Sequence, residues 1–360
     1  MNGIGKEQLH ELAANQSLIP ILTLDLSPLR GAGKHLKCWQ EQGNASEMTY
    51  MLKDEAEMIC PGRLCPEARS AVILLAPCAS DPLPECPPGY GRVARYAWGR
   101  DYHKALKRAA KRLVGAAEKA LGRSIVWRFF SDSVPLLERA FAERSGAGFV
   151  GRNSMLIRPG IGSNFLISEL LWDVPLEFSE GTAVFDRGCG ECRRCLTACP
   201  GRCLHDISVE GQGASRLDAR GCISYLTIEK RGPLAETEGR QIGEWVFGCD
   251  ICQICCPFNH RLSERIAYKP FPELQASHGP GAVLELAPLF GLQTRGAFER
   301  IFAGTALMRA GREGILRNAA FVAANTGALA ALPAIIDAGV TDPSKSVREA
   351  CSCAIKVLRG

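Results

Sequence analysis

The sequence predicts a mixed α/β (α+β) N-terminal domain, then a cysteine-dense middle region, then an α-helical C-terminal domain. Three observations carry this. Short apolar runs alternate with an amphipathic helical segment up to about residue 180; ten of the 17 cysteines fall between Cys189 and Cys256; and the last ninety residues are Ala-rich with helical periodicity. The boundaries are placed to give 1–180, 181–270 and 271–360.

In the first region, AVILLAP (71–77) has the length and apolarity of a buried strand. DYHKALKRAAKRLVGAAEKALG (101–122) repeats its apolar residues every three to four positions, with basic residues on the outer face, and reads as a helix. SIVWRFF (124–130) reads as another strand, and the alternation predicts a parallel or mixed sheet covered by helices. Periodicity is lost over LEFSEGTAVFDRG (176–188), which marks the first boundary, and HRLSERIAYKPFPELQASHGPG (260–281) is loop-like. Beyond it, LRNAAFVAAN (316–325) aligns with VREACSCAIK (347–356) at a spacing of 31 residues, matching Arg317 to Arg348, Ala319 to Ala350 and Ala323 to Ala354. That echo predicts a HEAT-like helical repeat; two unrelated Ala-rich helices are the plainer reading.

Composition excludes several classes of function. With 46% hydrophobic and 22% charged residues in 360, the chain is globular rather than disordered. The excess of 43 Lys and Arg over 38 Asp and Glu gives +5, compatible with a polyanionic partner but too small to establish one. An odd cysteine count in a long chain does not fit a disulfide-stapled secreted protein. Lys6, Glu7, His10 and Glu11 interrupt the apolar stretch that an export signal needs, and no run is long enough to span a membrane. A cytoplasmic protein using its thiols for metal ligation is expected.

Cys189, Cys192, Cys195 and Cys199-Pro200 have the C-x2-C-x2-C-x3-C-P spacing of bacterial two-cluster ferredoxins. Three cysteines spaced by two can wrap one face of a cubane, while the fourth projects toward a second cluster. Cys249, Cys252 and Cys256-Pro257 repeat the pattern one ligand short, and Cys222 is the nearest candidate for the missing thiolate. The crossover of ligands between clusters then assigns Cys189, Cys192, Cys195 and Cys256 to one 4Fe-4S cluster, and Cys199, Cys222, Cys249 and Cys252 to a second. Zinc also uses C-x2-C pairs, but it does not account for two Cys-Pro endings. Cys203 and Cys255 are read as small buried thiols that could replace a neighbour as ligand.

These cysteine runs occur together with RYAWGRDYHK (95–104), SDSVPLLERAFAERSGAGFVGRNSMLI (131–157), CISYLTIEKRGPL (222–234) and FGCDICQICCPFN (247–259). In that combination the chain resembles the epoxyqueuosine reductase family over residues 45–360, and more distantly the corrinoid reductive dehalogenases. The resemblance implies reduction of epoxyqueuosine to queuosine at the wobble position of tRNA. Electrons would pass from an external low-potential donor through two 4Fe-4S clusters to a base-off cobalamin, held between an N-terminal cobalamin-binding domain and a ferredoxin-like domain. It further implies a monomer whose substrate is a tRNA carrying epoxyqueuosine.

By the same resemblance Asp132 is the proton donor. Read on its own, Asp132 or Ser133 before Pro135 and an apolar helical run is a helix N-cap, where the dipole favours the ionised carboxylate. Tyr102, His103, Asn153, Ser163, Ser224, Tyr225 and Asp250 are implied cobalamin contacts; a Tyr in an apolar segment and a lone His are also ordinary core residues. Gly146, Gly148 and Gly151 around Phe149 predict either close backbone approach to a ligand or a plain turn. Lys230 and Arg231 lie in the substrate-facing segment, and Arg309, Arg312, Arg317 and Arg348 are candidates for gripping phosphates; a solvated basic surface is the bland reading.

The chain departs from the family pattern in two places. Met58 and Cys60-Pro61 stand where Arg and then Asp-Pro are usual, removing one polar cofactor contact, and Arg152 replaces a Lys. Two other functions are compatible with the residues. One is a corrinoid reductase of a small molecule, which would turn over without RNA. The other is a non-corrinoid electron-transfer module, which would hold clusters and no cobalt.

Overall fold

The fold is known from a computed structural model that describes residues 3–23, 25–78, 83–176, 188–207, 215–260 and 269–360. The predicted boundary tract over 176–188 lies outside the described residues except at its two ends, as do 261–268 of the loop-like segment.

The apolar run near residue 71 becomes the strand Ser70–Pro77, buried at all eight positions. It lies inside a four-stranded sheet, between Ile19–Thr23 and Phe165–Trp172, with Trp127–Phe130 at the far edge. Every pairing in this sheet is antiparallel, which corrects the expected parallel or mixed arrangement. Alternation of strands with helices suggested parallel crossovers. Instead the long strand Phe165–Trp172, which the periodicity left unassigned, runs in register against Ser70–Pro77 and reverses the neighbours. A mixed sheet does exist elsewhere: Tyr90–Val93 pairs in parallel with Trp245–Phe247 and antiparallel with Val283–Glu285.

Both faces of the main sheet are covered. The predicted helix forms over Tyr102–Leu121, opened by the Asp101 carboxylate accepting from the His103 amide and closed by Gly122 at φ +66°. Its Ala105, Leu106, Ala109, Leu113 and Val114 pack on Val72, Leu74, Leu170 and Trp172. The opposite face, with Ile73, Leu75 and Leu171, receives Leu136, Phe141 and Ala142 from the segment entering and forming the helix Glu138–Arg144.

The C-terminal segment forms the helices Gly311–Thr326, Leu332–Thr341 and Lys345–Arg359. The aligned alanines 319, 323, 350 and 354 are all buried, so equivalent positions of the two echoing stretches face one core. That core is shared: Val93, Trp98, Ile223, Trp245 and Phe247 pack in it together with Phe298, Ile315, Phe321 and Val347. Arg317 and Asn318 hydrogen-bond this junction. Arg317 donates to the carbonyls of Lys230, Gly232 and Leu226, and Asn318 donates to those of Thr227 and Val246.

Candidate active site

The residues around Asp132 come from three elements. Asp132 follows the edge strand Trp127–Phe130 and has φ +50°, in the left-handed region that costs a non-glycine residue energy. It is exposed, and its Oδ2 accepts a hydrogen bond of 2.8 Å from the Tyr102 hydroxyl. Its backbone amide donates to Glu138 Oε1 at 2.5 Å. The helix that follows is capped by Leu137, without a side-chain bond, so neither Asp132 nor Ser133 is its N-cap. The cap expectation therefore fails: the chain bends through Pro135 and begins its helix at Glu138.

Tyr102 and His103 lie beneath this loop, at the first turn of the long helix. Their rings stack with centroids 4.1 Å apart. Burial, reinforced by the Asp132 charge, pushes the Tyr102 phenol well above its ordinary value, so it donates rather than ionises. His103 Nδ1 lies 2.9 Å from Asp101 Oδ1, and this partner raises the imidazole's pKa. Tyr96 packs edge-on against Tyr102, its ring centroid 6.1 Å away.

Asn153 and Ser163 lie in and after the hairpin formed by Phe149–Val150 and Leu156–Ile157. Both are buried and both reach the second cysteine run: Asn153 Nδ2 donates to the Cys252 carbonyl at 3.5 Å, and Ser163 Oγ donates to Gln253 Oε1 at 2.9 Å. Asn259 completes the joint, its Oδ1 accepting from the Ser163 amide and its Nδ2 donating to Ser163 Oγ. The sequence reading missed Gln253 and Asn259, although Gln253 lies between Cys252 and Cys256 and Asn259 three residues beyond, each on its own short helix. Gly148 is required here by the protein itself, since a Cβ would come 2.3 Å from the Ile157 carbonyl oxygen across the hairpin.

Arg152, in the same hairpin, is buried and donates through Nη1 to the carbonyls of Gly190 and Cys192, at 2.5 and 3.0 Å. Its backbone amide also points at Cys189 Sγ, 3.4 Å away. The guanidinium thus organises the first cysteine loop by bonding two carbonyls at once, as a planar fork can. Met58, at the other departure from the family pattern, is buried, and its carbonyl accepts from the Leu137 amide.

Cys189, Cys192, Cys195 and Cys256 line one narrow cleft, together with Asn153, Ile157 and Phe258. These are the four thiols assigned to one cluster from spacing alone. Cys199, Cys222, Cys252 and Cys255 pack against a buried group of Cys195, Cys203 and Leu204, with Cys199 and Cys203 Sγ 3.4 Å apart. Cys249 belongs with them through its electrostatic contact with Cys222 and Cys199. Among the described residues no three His, Cys, Asp or Glu side chains converge tightly enough to hold a single ion. A cluster of four irons and four sulfides spreads its thiolates more widely than one zinc does.

The remaining predicted contacts have protein partners. Asp250 is buried, and its Oδ2 accepts from the Arg95 amide at 2.6 Å; that burial raises its pKa. The Tyr225 hydroxyl accepts from Ser46 Oγ, and half-buried Ser224 precedes a wide turn over Tyr225–Glu229 that closes with the Lys230 amide on the Tyr225 carbonyl. Lys230 Nζ pairs with Glu238 at 2.6 Å, and Arg231 donates to the carbonyls of Arg309 and Ala310. Arg309 makes a two-pronged pair with Glu229 beside the Tyr50 ring. Arg312 and Arg317 are buried, the first against Asp342, so they do not form a phosphate-gripping surface. Alternating charge and alanine on a helix does not reveal from sequence which arginines face inward.

Comparison with known proteins agrees with this arrangement. Residues 188–259 match a 4Fe-4S double cluster binding domain, and residues 59–133 match the family described as epoxyqueuosine reductase QueG, DUF1730. The epoxyqueuosine reductase of Pseudomonas aeruginosa is 35% identical over 332 residues, covering 89% of this chain and 86% of that one. The chain belongs to the epoxyqueuosine reductase family. The Gloeobacter violaceus enzyme is 35% identical over 80% of this chain and 86% of its own. Among solved structures, the epoxyqueuosine reductase of Streptococcus thermophilus has a TM-score of 0.82 at 26% identity, covering 98% of this chain and 90% of that one. An epoxyqueuosine reductase in complex with an epoxyqueuosine-modified tRNA-Tyr stem loop matches equally well, with the same TM-score, identity and coverage. The Bacillus subtilis enzyme, described with its catalytic aspartate loop swung out of the active site, has a TM-score of 0.80 at 27% identity and the same coverage. No described helix is long and apolar enough to cross a membrane.

Proposed function

We propose that this protein reduces epoxyqueuosine to queuosine in tRNA in the cytoplasm, as a monomer, with Asp132 as acid and two 4Fe-4S clusters and cobalamin as cofactors. The observation that carries the reading is the joining of two chemistries on one domain. An exposed aspartate, held by the Tyr102 hydroxyl, stands on the same domain as a hairpin whose Asn153 and Ser163 bond directly to the second cysteine run.

The donor set is in keeping with two clusters: Cys189, Cys192, Cys195 and Cys256 line one cleft, and Cys199, Cys222 and Cys252 belong to the packed group that contains Cys203. In this reading a corrin would lie between the Asp132 loop and the cysteine region, held by Tyr102, His103, Asn153 and Ser163 beside Ser224, Tyr225 and Asp250. The chemistry these groups supply when bound is low-potential electrons, delivered singly from an external donor and spent at cobalt.

The protein's own part is acid catalysis and positioning. Asp132 gives its proton to the epoxide oxygen as that oxygen leaves, and the Tyr102 hydroxyl fixes the carboxyl in place without competing for the proton. The positive φ of Asp132 makes its loop a strained element, in keeping with the Bacillus subtilis relative, whose catalytic aspartate loop is swung out of the active site. Lys230 and Arg231 would border the bound tRNA from the segment that Arg317 anchors.

The test is anaerobic incubation of cluster-replete protein with cobalamin, a chemical reductant and an epoxyqueuosine-containing stem loop, followed by mass spectrometry of the nucleosides. Queuosine formation that needs all three components supports the proposal. Turnover of a small epoxide with no conversion of the RNA would overturn it in favour of a small-molecule reductase. EPR of added cob(II)alamin reads the corrin site separately: a base-off signal is expected, and an unchanged free-cofactor signal would remove cobalamin from the proposal.

A further inference from the structure

Arg152 carries a guanidinium into the interior beside the first cysteine run, where the residue is only 2% exposed. It belongs to the hairpin of Phe149–Val150 and Leu156–Ile157, yet its polar contacts lie in the cysteine region. Nη1 donates to the Gly190 and Cys192 carbonyls at 2.5 and 3.0 Å, and the Arg152 amide faces Cys189 Sγ at 3.4 Å. The Arg152 carbonyl in turn accepts from Ser215 Oγ at 2.5 Å. One residue of the α/β domain therefore bonds the loop from Cys189 to Cys192 at three points, by side chain and main chain together.

Two of those contacts are electrostatic in kind. An N–H aimed at a thiolate sulfur stabilises negative charge on it, and a guanidinium cannot shed its own charge when buried, as an ammonium can. Away from water that charge is felt more strongly than at the surface. An acidic neighbour acts in the opposite sense: Asp206 Oδ1 lies 3.7 Å from Arg152 Nε, and Asp206 Oδ2 pairs with the exposed Arg193 at 2.8 Å.

Reduction of a 4Fe-4S cluster adds one electron from the external donor, breaks no bond and makes the cluster more negative by one charge. We propose that Arg152 is a positioning residue of the electron path, whose buried charge favours the reduced state of the cluster held by Cys189, Cys192, Cys195 and Cys256 and so raises its reduction potential. That cluster then takes an electron from its donor more readily than its four thiolates alone would allow. The inference rests on those four cysteines being the ligands of one cluster.

The experiment is a redox titration of the cluster-loaded protein, read by EPR of the reduced clusters, on wild type, Arg152→Gln, Arg152→Lys and Asp206→Asn, with iron counted in each. In Arg152→Gln, with iron still at roughly eight per chain, one of the two midpoint potentials is expected to fall by about 59 mV, which is a one-electron equilibrium roughly 10-fold less favourable. Arg152→Lys keeps the charge and should hold that potential closer to wild type. Asp206→Asn removes the acidic neighbour and should move one potential upward. Full iron with both potentials unmoved in Arg152→Gln overturns the proposal. A fall in Arg152→Lys as large as that in Arg152→Gln overturns it too, because the two-carbonyl fork rather than the charge would then be what matters. Should both Arg152 variants lose the cluster, Asp206→Asn decides alone: a raised potential supports the proposal and an unmoved one overturns it. Wild-type protein holding far fewer than roughly eight irons would instead count against the cluster assignment.

Discussion

The Tyr102 hydroxyl donates to Asp132 Oδ2 at 2.8 Å, linking the first turn of the longest helix to a strained loop 30 residues later. Tyr102 is buried and Asp132 exposed, so the bond ties an exposed carboxylate to a fixed scaffold. Tyr102→Phe keeps the packing against Tyr96 and removes only the donor. Its kcat is expected to fall roughly 10-fold, about 1.4 kcal/mol of lost positioning. Asp132→Asn should abolish turnover while base-off cobalamin binding persists by EPR. Full activity in the Asn variant would remove Asp132 from the chemistry.

The cysteine assignment makes a prediction that separates two neighbours. Cys203 is buried within 3.4 Å of Cys199 and touches the same group of thiols as Cys222. If Cys222 is the ligand and Cys203 the filler, Cys222→Ala lowers iron from roughly eight to roughly four per chain, while Cys203→Ala leaves it near eight. Iron and acid-labile sulfide analysis with EPR of the reduced protein reads this directly. The reverse result would exchange the two roles.

Arg317 is buried at 1% exposure and its guanidinium is fully engaged by three carbonyls and the Asn318 side chain. Arg317→Met would leave the Leu226, Lys230 and Gly232 carbonyls without this donor. Chemical denaturation should show a loss of roughly 3–5 kcal/mol, and Arg317→Lys should not restore it, because one ammonium cannot span the three carbonyls. RNA affinity lost without loss of stability would mean that this arginine reaches the substrate after all.

Two glutamates of the α/β domain, the half-buried Glu138 and the fully buried Glu169, predict a pH dependence of stability. Glu138 binds its proton more tightly folded than unfolded, since its pKa is raised to about 7. Between the unfolded glutamate value near 4.5 and about 7 the native state therefore holds more protons than the unfolded one, and stability falls as pH rises across that window. Below the window the pair costs nothing through this route; above it the cost is complete. Glu169, fully buried, has its own pKa raised well above the ordinary carboxylate value, and Glu169→Gln removes that second cost, so its Tm relative to wild type should be higher at pH 8 than at pH 5. A difference that does not change with pH would mean the pair is not protonated as described.

Much of the site was legible in order along the chain. The C-x2-C spacings point to two 4Fe-4S clusters because a cubane demands a fixed local geometry, and residues 188–259 match a double cluster domain accordingly. The buried strand near residue 71 and the helix near residue 101 were legible because periodicity and capping are local. The direction of the main sheet was not, since nothing in an apolar run says which strand lies beside it. Nor was the burial of Arg312 and Arg317, whose partners lie in other elements.

By itself, then, the sequence determined the mixed α/β character, the cluster chemistry and the membership of an epoxyqueuosine-reducing family, because each rests on residue types at fixed separations. Only the tertiary structure decided that Asp132 is held by Tyr102 rather than capping a helix, and that Asn153 and Ser163 bond to the cysteine run nearly a hundred residues away. Those relationships join residues far apart in the chain, and they exist only because packing the sheet, the hairpin and the cysteine loops brings their polar groups together where water cannot satisfy them.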